Sequence, residues 1–182
     1  MAKIEPVVFI LRDESEILVR EAEVQDASAV LKHVHCISGE SDYLTIGPGE
    51  FELTVEQEAA YLKDSKQAEN KLYIIAMLGS AIVGALSFSA SSRPRTRHSG
   101  EIAMSVRKTF WGKGIGSALL DVLIDWSNEN QIVTKLNLRV RTDNQAAITL
   151  YKKKGFVEEG LIHKAIFLNG RYYDFFWMGL ET

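Results

Sequence analysis

The 182-residue chain is 46% hydrophobic and 25% charged, which suits one domain spanning 1–182, with a core of about 17–180 and residues 1–16 as an N-terminal extension or extra strand. Its 21 basic and 24 acidic residues give a net charge of -3, so it lacks the basic excess of a nucleic-acid or polyanion binder. Cys36, the sole cysteine, excludes an internal disulfide, and no paired Cys/His spacing around it marks a zinc site, so no metal and a reducing cytoplasmic compartment are expected.

The opening "MAKIEPVVFILRDESEILVREAE" holds a short apolar run followed by acidic residues, unlike a secretory signal. No later segment has the roughly 18 apolar residues of a membrane span. Val7 to Leu11 and Ile17 to Val19 flank "RDESE" and read as a hairpin whose second run is the first core strand. Ala29, Val30, His33, Val34 and Ile37 recur at helical spacing up to Gly39, with Asp26 placed to cap the helix. "GESDYLTIGPGEF" reads as a loop, and Thr54 followed three residues later by Gln57 forms a capping box for a second helix to about Lys66.

"KLYIIAML", "SAIVGALSFSAS" and "GEIAMSV" then predict an antiparallel meander. A helix is expected from Gly112 or Lys113, because Ile115, Ala118, Leu119, Val122, Leu123 and Trp126 share one face. "TKLNLRVR" alternates as a half-buried strand. Asn144 to Lys154 forms a last helix ended by Gly155, and two aromatic-rich strands turn at Asn169-Gly170.

The chemistry points to "VRKTFWGKGIGSALL", where Gly112, Gly114 and Gly116 run into the helix. A helix start exposes unpaired N–H groups and a positive dipole end, and glycines let a phosphate reach them without meeting a Cβ. The spacing Gly-x-Gly-x-Gly fits neither the P-loop nor the dinucleotide fingerprint.

These residues resemble the acetyl-CoA signature Arg/Gln-x-x-Gly-x-Gly/Ala of the GCN5-related N-acetyltransferases (the GNAT family). Trp111 stands in the Arg/Gln position of "WGKGIG", and its own backbone N–H is expected to remain available. Downstream, "RTDNQAAITLYKKKGF" matches the family's Asn-x-x-Ala-x-x-x-Tyr-x-x-x-Gly-Phe segment at Asn144, Ala147, Tyr151, Gly155 and Phe156. Ala147 and Tyr151 are one helical turn apart, so a small residue leaves room for the pantetheine arm while the phenol reaches its sulfur. The resemblance implies an α/β fold of α+β type, with a mixed, mostly antiparallel twisted sheet flanked by helices.

It further implies acetyl transfer from acetyl-CoA, as co-substrate, to a primary amine by direct attack in a ternary complex. An alkyl ammonium of pKa near 10.4 costs roughly 4 to 5 kcal/mol to deprotonate at neutral pH unless a base shares the work. By resemblance Glu101 is the candidate general base, acting through water, with an ordinary exposed strand glutamate as the equal alternative. Tyr151 is the candidate proton donor to the departing thiolate. A backbone N–H at Met104, Ser105 or Val106 would hold the oxyanion, where the family implies a bulge that splays the strand. Coenzyme contacts are expected from Trp111, Gly112, Lys113, Gly114, Ile115, Gly116, Ser117, Ala147 and Lys153. Asn144 would bind the coenzyme or cap its helix.

His33 and His35 lie two apart and do not form a metal pair on a helix. "SRPRTRHS" reads as a solvated basic loop. The "HCISGESDYL" loop and Tyr172, Tyr173 and Asp174 border the acceptor site in the family. The resemblance implies a small-molecule amine as acceptor or, alternatively, a peptide N-terminus such as that of a ribosomal protein. A catalytically silent coenzyme-binding module is the alternative of a different class. No nucleic-acid or membrane partner is expected, and the aromatic C-terminal strand offers an edge for a homodimer.

Overall fold

A computed structural model describes residues 4–182. Eight strands and four α-helices follow in the order β1 (Val7–Ile10), β2 (Glu16–Glu21), α1 (Ala27–Glu40), α2 (Val55–Gln67), β3 (Lys71–Leu78), β4 (Ala81–Ala90), β5 (Ser99–Val106), α3 (Ile115–Glu129), β6 (Lys135–Arg141), α4 (Gln145–Lys153), β7 (Val157–Leu168) and β8 (Arg171–Glu181). The strands form one sheet in the order β1-β2-β3-β4-β5-β6-β8-β7. Every neighbouring pair is antiparallel except β5 and β6. This is the mixed α/β architecture expected from the sequence, including the hairpin formed by the two N-terminal runs.

The sheet is covered on both faces. On one, Ile115, Leu119, Leu123 and Trp126 of α3 pack with Ile148 and Tyr151 of α4 over Val19, Ile74, Leu86, Leu136 and Met178. Each such large side chain contributes about 1.5–3 kcal/mol when fully buried. Gly84 lets α3 come close, since a Cβ there would lie 2.8 Å from Ile115 Cγ2. On the other face Val30 of α1 and Leu62 of α2 cover Ile75, Ile82 and Ala85. The Thr54 and Gln57 side chains cap α2 reciprocally, as the capping box predicts.

Three local expectations are corrected. Asp26 precedes α1 but its carboxylate does not cap it; it takes a two-point pair from Arg20 and the Glu23 N–H instead. The third helix starts at Ile115, not Gly112 or Lys113. Gly112 and Gly114 have φ of 77° and 109°, conformations that belong to a turn and not to a helix. Finally, β5 has no bulge: its register with β4 is unbroken from Gly100 to Val106. β6 keeps an equally unbroken register with β8, and the splay is the loss of pairing between β5 and β6 beyond Glu101 and Asn137.

Candidate active site

The parallel pairing of β5 with β6 covers only Ser99, Gly100 and Glu101 against Lys135, Leu136 and Asn137. Beyond it the strands fork, and a cavity of about 760 Å³ opens between them, running from the glycine turn to the α1–α2 loop. Arg107 donates its N–H to Val83 on β4. A strand's N–H groups alternate in direction, so Ser105 also points toward β4, while Met104 and Val106 turn theirs to the fork. This narrows the three oxyanion candidates to two.

At one end of the cavity lies the turn before α3. Lys113 donates to Phe110 and Ala118 to Gly114, but among the described residues no backbone acceptor takes the N–H of Gly112, Gly114, Ile115, Gly116 or Ser117. A Cβ on Gly112 or Gly114 would meet nothing within 4 Å. The turn is thus an open cradle of donors at a helix N-terminus, which fits a phosphate group. Gly116 differs: its α-carbon faces Leu150, whose Cδ2 would lie 3.1 Å from an added Cβ. It is a packing glycine between α3 and α4.

Trp111 behaves otherwise than expected. Its backbone N–H is taken by Lys108 O at 3.2 Å, and its indole N–H donates to Val106 O at 2.7 Å. Lys113 is the one predicted coenzyme residue outside the cavity lining. Its ammonium pairs with Asp13 at 2.8 Å.

Tyr151 and Ala147 of α4 both line the middle of the cavity. The Tyr151 ring is buried edge-on against Phe156, with centroids 5.8 Å apart. Burial alone pushes its phenol up to about 12, yet its hydroxyl is not a sealed, partnerless atom, so it opens to the cavity. Asn144 caps α4 through Oδ1, which accepts from Ala147 N at 3.2 Å. Asn144 also lines the cavity. Within the lysine run, Lys152 pairs with Glu158 and Lys154 with Asp121, whereas Lys153 lines the cavity.

The far end is built from side chains. Glu101 lies there, its carboxylate accepting from Arg139 Nε at 2.6 Å. Arg141, 5% exposed, is held by both oxygens of Asp143 and donates to Asp42 O. Its guanidinium lies 3.8 Å from the Tyr173 ring centre and 4.9 Å from that of Tyr43. Tyr172 instead packs on Phe167 at the exposed edge, and Asp174 accepts from His163 and the Lys164 N–H. Ser105 stands on the same face as Glu101, and His33 Nε2 lies 2.9 Å from its Oγ. Because His33 Nδ1 faces the Ile82 carbonyl, Nδ1 carries the proton and the Ser105 hydroxyl donates to Nε2. Burial lowers the imidazole to about 4.

Arg139, Arg141 and Ser105's partner His33 carry no motif. The one signal in the sequence is that Asn137, Arg139 and Arg141 alternate on a single side of "KLNLRVR", the side that also receives Glu101 through the register of β5 with β6.

Residues 41–156, more than half of the chain, match the model of the Acetyltransferase (GNAT) family. The L-amino acid N-acetyltransferase AaaT of Escherichia coli is 29% identical over 171 residues, covering 90% of this chain and 97% of that protein. A GNAT-family acetyltransferase of Streptococcus pneumoniae superposes with a TM-score of 0.89 at 33% identity, over 91% of this chain and 99% of the other. A Salmonella typhimurium structure solved with its cofactor acetyl-CoA shares the fold, with a TM-score of 0.79 at 19% identity over 91% and 93% of the two chains. With the fork, the donor-lined glycine turn and the family match in agreement, this protein belongs to the GNAT family of N-acetyltransferases.

Proposed function

We propose that the protein transfers an acetyl group from acetyl-CoA to the primary amine of a small amino acid by direct attack in a ternary complex. The observation that carries this reading is the fork. It joins a phosphate-suited donor cradle to a charged far end through one continuous cavity with Tyr151 in its middle. The cradle suits the pyrophosphate of coenzyme A, and Ala147 leaves the room a pantetheine arm needs beside α4.

In the reaction, the amine nitrogen bonds to the thioester carbonyl carbon, and the carbonyl oxygen gains charge. The cavity-facing N–H groups of Met104 and Val106 are the donors for that oxygen. Glu101 takes the amine's proton, through water, and Tyr151 gives its proton to the sulfur as the carbon–sulfur bond breaks. A phenol raised to about 12 by burial remains protonated at neutral pH and so serves as donor. The dry surroundings that raise the phenol also raise the affinity of a thiolate for a proton.

The far end supports an amino acid as acceptor. The pair Glu101–Arg139 offers a carboxylate to an ammonium and a guanidinium to a neighbouring carboxylate, both partly exposed to the cavity. The name of the Escherichia coli relative points the same way. The test is thiol release from acetyl-CoA with a panel of L-amino acids, the same amino acids as carboxyl amides, polyamines and peptides with free N-termini. Turnover of free amino acids above their amides supports the reading. Coenzyme binding without turnover of any amine would establish a silent module, and turnover of peptides alone would move the acceptor to a protein N-terminus.

A further inference from the structure

The N-terminal hairpin precedes the residues matched by the family model, yet its turn is fastened to the glycine cradle. The Arg12 N–H donates to Lys113 O at 3.2 Å. Arg12 Nη1 donates to Gly112 O, also at 3.2 Å, and Asp13 receives the Lys113 ammonium. Arg12 lines the same cavity as Gly112, Gly114 and Ser117. Where the family's signature has Arg or Gln, this chain has Trp111, with both its N–H groups already donated to the protein's own carbonyls.

We infer that Arg12 is a coenzyme-binding residue that contacts the pyrophosphate from the hairpin, supplying the side-chain donor that Trp111 does not. The inference rests on the coenzyme A reading of the cradle. A guanidinium carries five N–H donors in a rigid fork. One is fixed on Gly112 O, which orients the group at the edge of the cradle and leaves others for an anion. The neighbouring cations are committed: Lys113 to Asp13, Lys152 to Glu158 and Lys154 to Asp121. Arg12 forms no ion pair with a carboxylate among the described residues, and it shares the cavity lining with Lys153. The anchor on Gly112 O also explains why this role falls to a hairpin: Arg12 and the donors of the cradle are held in one hydrogen-bonded unit.

Calorimetric titration of coenzyme A into the wild type, Arg12→Lys and Arg12→Gln tests the idea. A charge-assisted contact of this kind is worth about a tenfold change in Kd, more at low ionic strength than at high. The expected order of affinity is wild type, then Arg12→Lys, then Arg12→Gln, with the thermal unfolding of the ligand-free protein unchanged. The preference for acetyl-CoA over S-acetylpantetheine, which has no phosphate, falls about tenfold in Arg12→Gln when read as a ratio of kcat/KM. An unchanged Kd in Arg12→Gln would overturn the inference. So would equal losses toward both acetyl donors with a lowered unfolding temperature, which would make Arg12 a brace for the loop only. A wild type that does not bind coenzyme A would overturn the reading of the cradle itself.

Discussion

The two ends of the cavity are made of different materials. The end proposed for the coenzyme consists mainly of backbone: the N–H groups of Gly112 and of Gly114 to Ser117, released by two left-handed glycines. The end proposed for the acceptor is made of side chains from four separate segments: Glu101 of β5 pairs with Arg139 of β6, and Arg141 of β6 lies against Tyr43 of the α1–α2 loop and Tyr173 of β8. A backbone site must be encoded locally, because only a few residue types permit its dihedral angles. A side-chain site can be assembled from any positions the sheet brings together, so it can change acceptor without disturbing the cradle.

Tyr151 lies between the two, and its removal is the largest test of the division. Tyr151→Phe keeps the ring against Phe156 and deletes only the hydroxyl. We expect kcat to fall by a factor on the order of 10² to 10³, measured by thiol release, with the Kd for coenzyme A unchanged. Since the phenol sits at about 12, its loss of a proton does not limit the wild-type rate below about pH 10. An unaltered kcat would reduce Tyr151 to a packing residue and leave the proton donor to water.

The same division decided what was legible in the sequence. The helix α3 was readable from Ile115 onward because Leu119, Leu123 and Trp126 recur with its period and are all buried. The Asn169-Gly170 turn was readable because both residues take positive φ. The start of α3 was misplaced because glycines that open a helix and glycines that turn into one look alike in a string of letters. The bulge expected on β5 was absent because departure of either strand can open a fork. Arg139 and Arg141 stayed hidden for a different reason. Alternation in "KLNLRVR" separates two faces, but it does not say what covers the polar one. Here Tyr43 and Tyr173 stack on Arg141, and Asn137 and Arg141 are buried while Arg139 between them stays exposed.

The backbone end is probed at Gly114, whose φ of 109° is closed to residues with a Cβ even though space is available. Gly114→Ala strains the turn by about 2 kcal/mol. We expect coenzyme A to bind about 30-fold more weakly, because the loop escapes the strain by leaving the donor geometry. The KM for the acceptor should stay near the wild-type value at saturating acetyl-CoA. Equal damage to both substrates would mean that the two ends are not separable.

The side-chain end has its own sensitivity, which the backbone end lacks. His33 is held neutral at about 4 by burial, with nearby Arg107 lowering it further and the Ile82 carbonyl and Glu40 opposing. An unfolded histidine titrates near 6.5, so below that pH the unfolded chain gains a proton that the folded chain refuses. The sign follows: His33 costs nothing at pH 7 and destabilises the fold progressively as the pH falls from 6.5 toward 4. Between pH 7 and pH 5 the loss attributable to it is roughly 1–2 kcal/mol, measured as the difference between wild type and His33→Gln in urea unfolding. Protonation of Nε2 would also reverse the hydrogen bond from Ser105, on the wall shared with Glu101. The acceptor's KM in the wild type should therefore respond to acid through His33, while the cradle, whose donors are backbone N–H groups, holds its Kd for coenzyme A. A coenzyme Kd that follows the His33 titration would join the two ends into one unit.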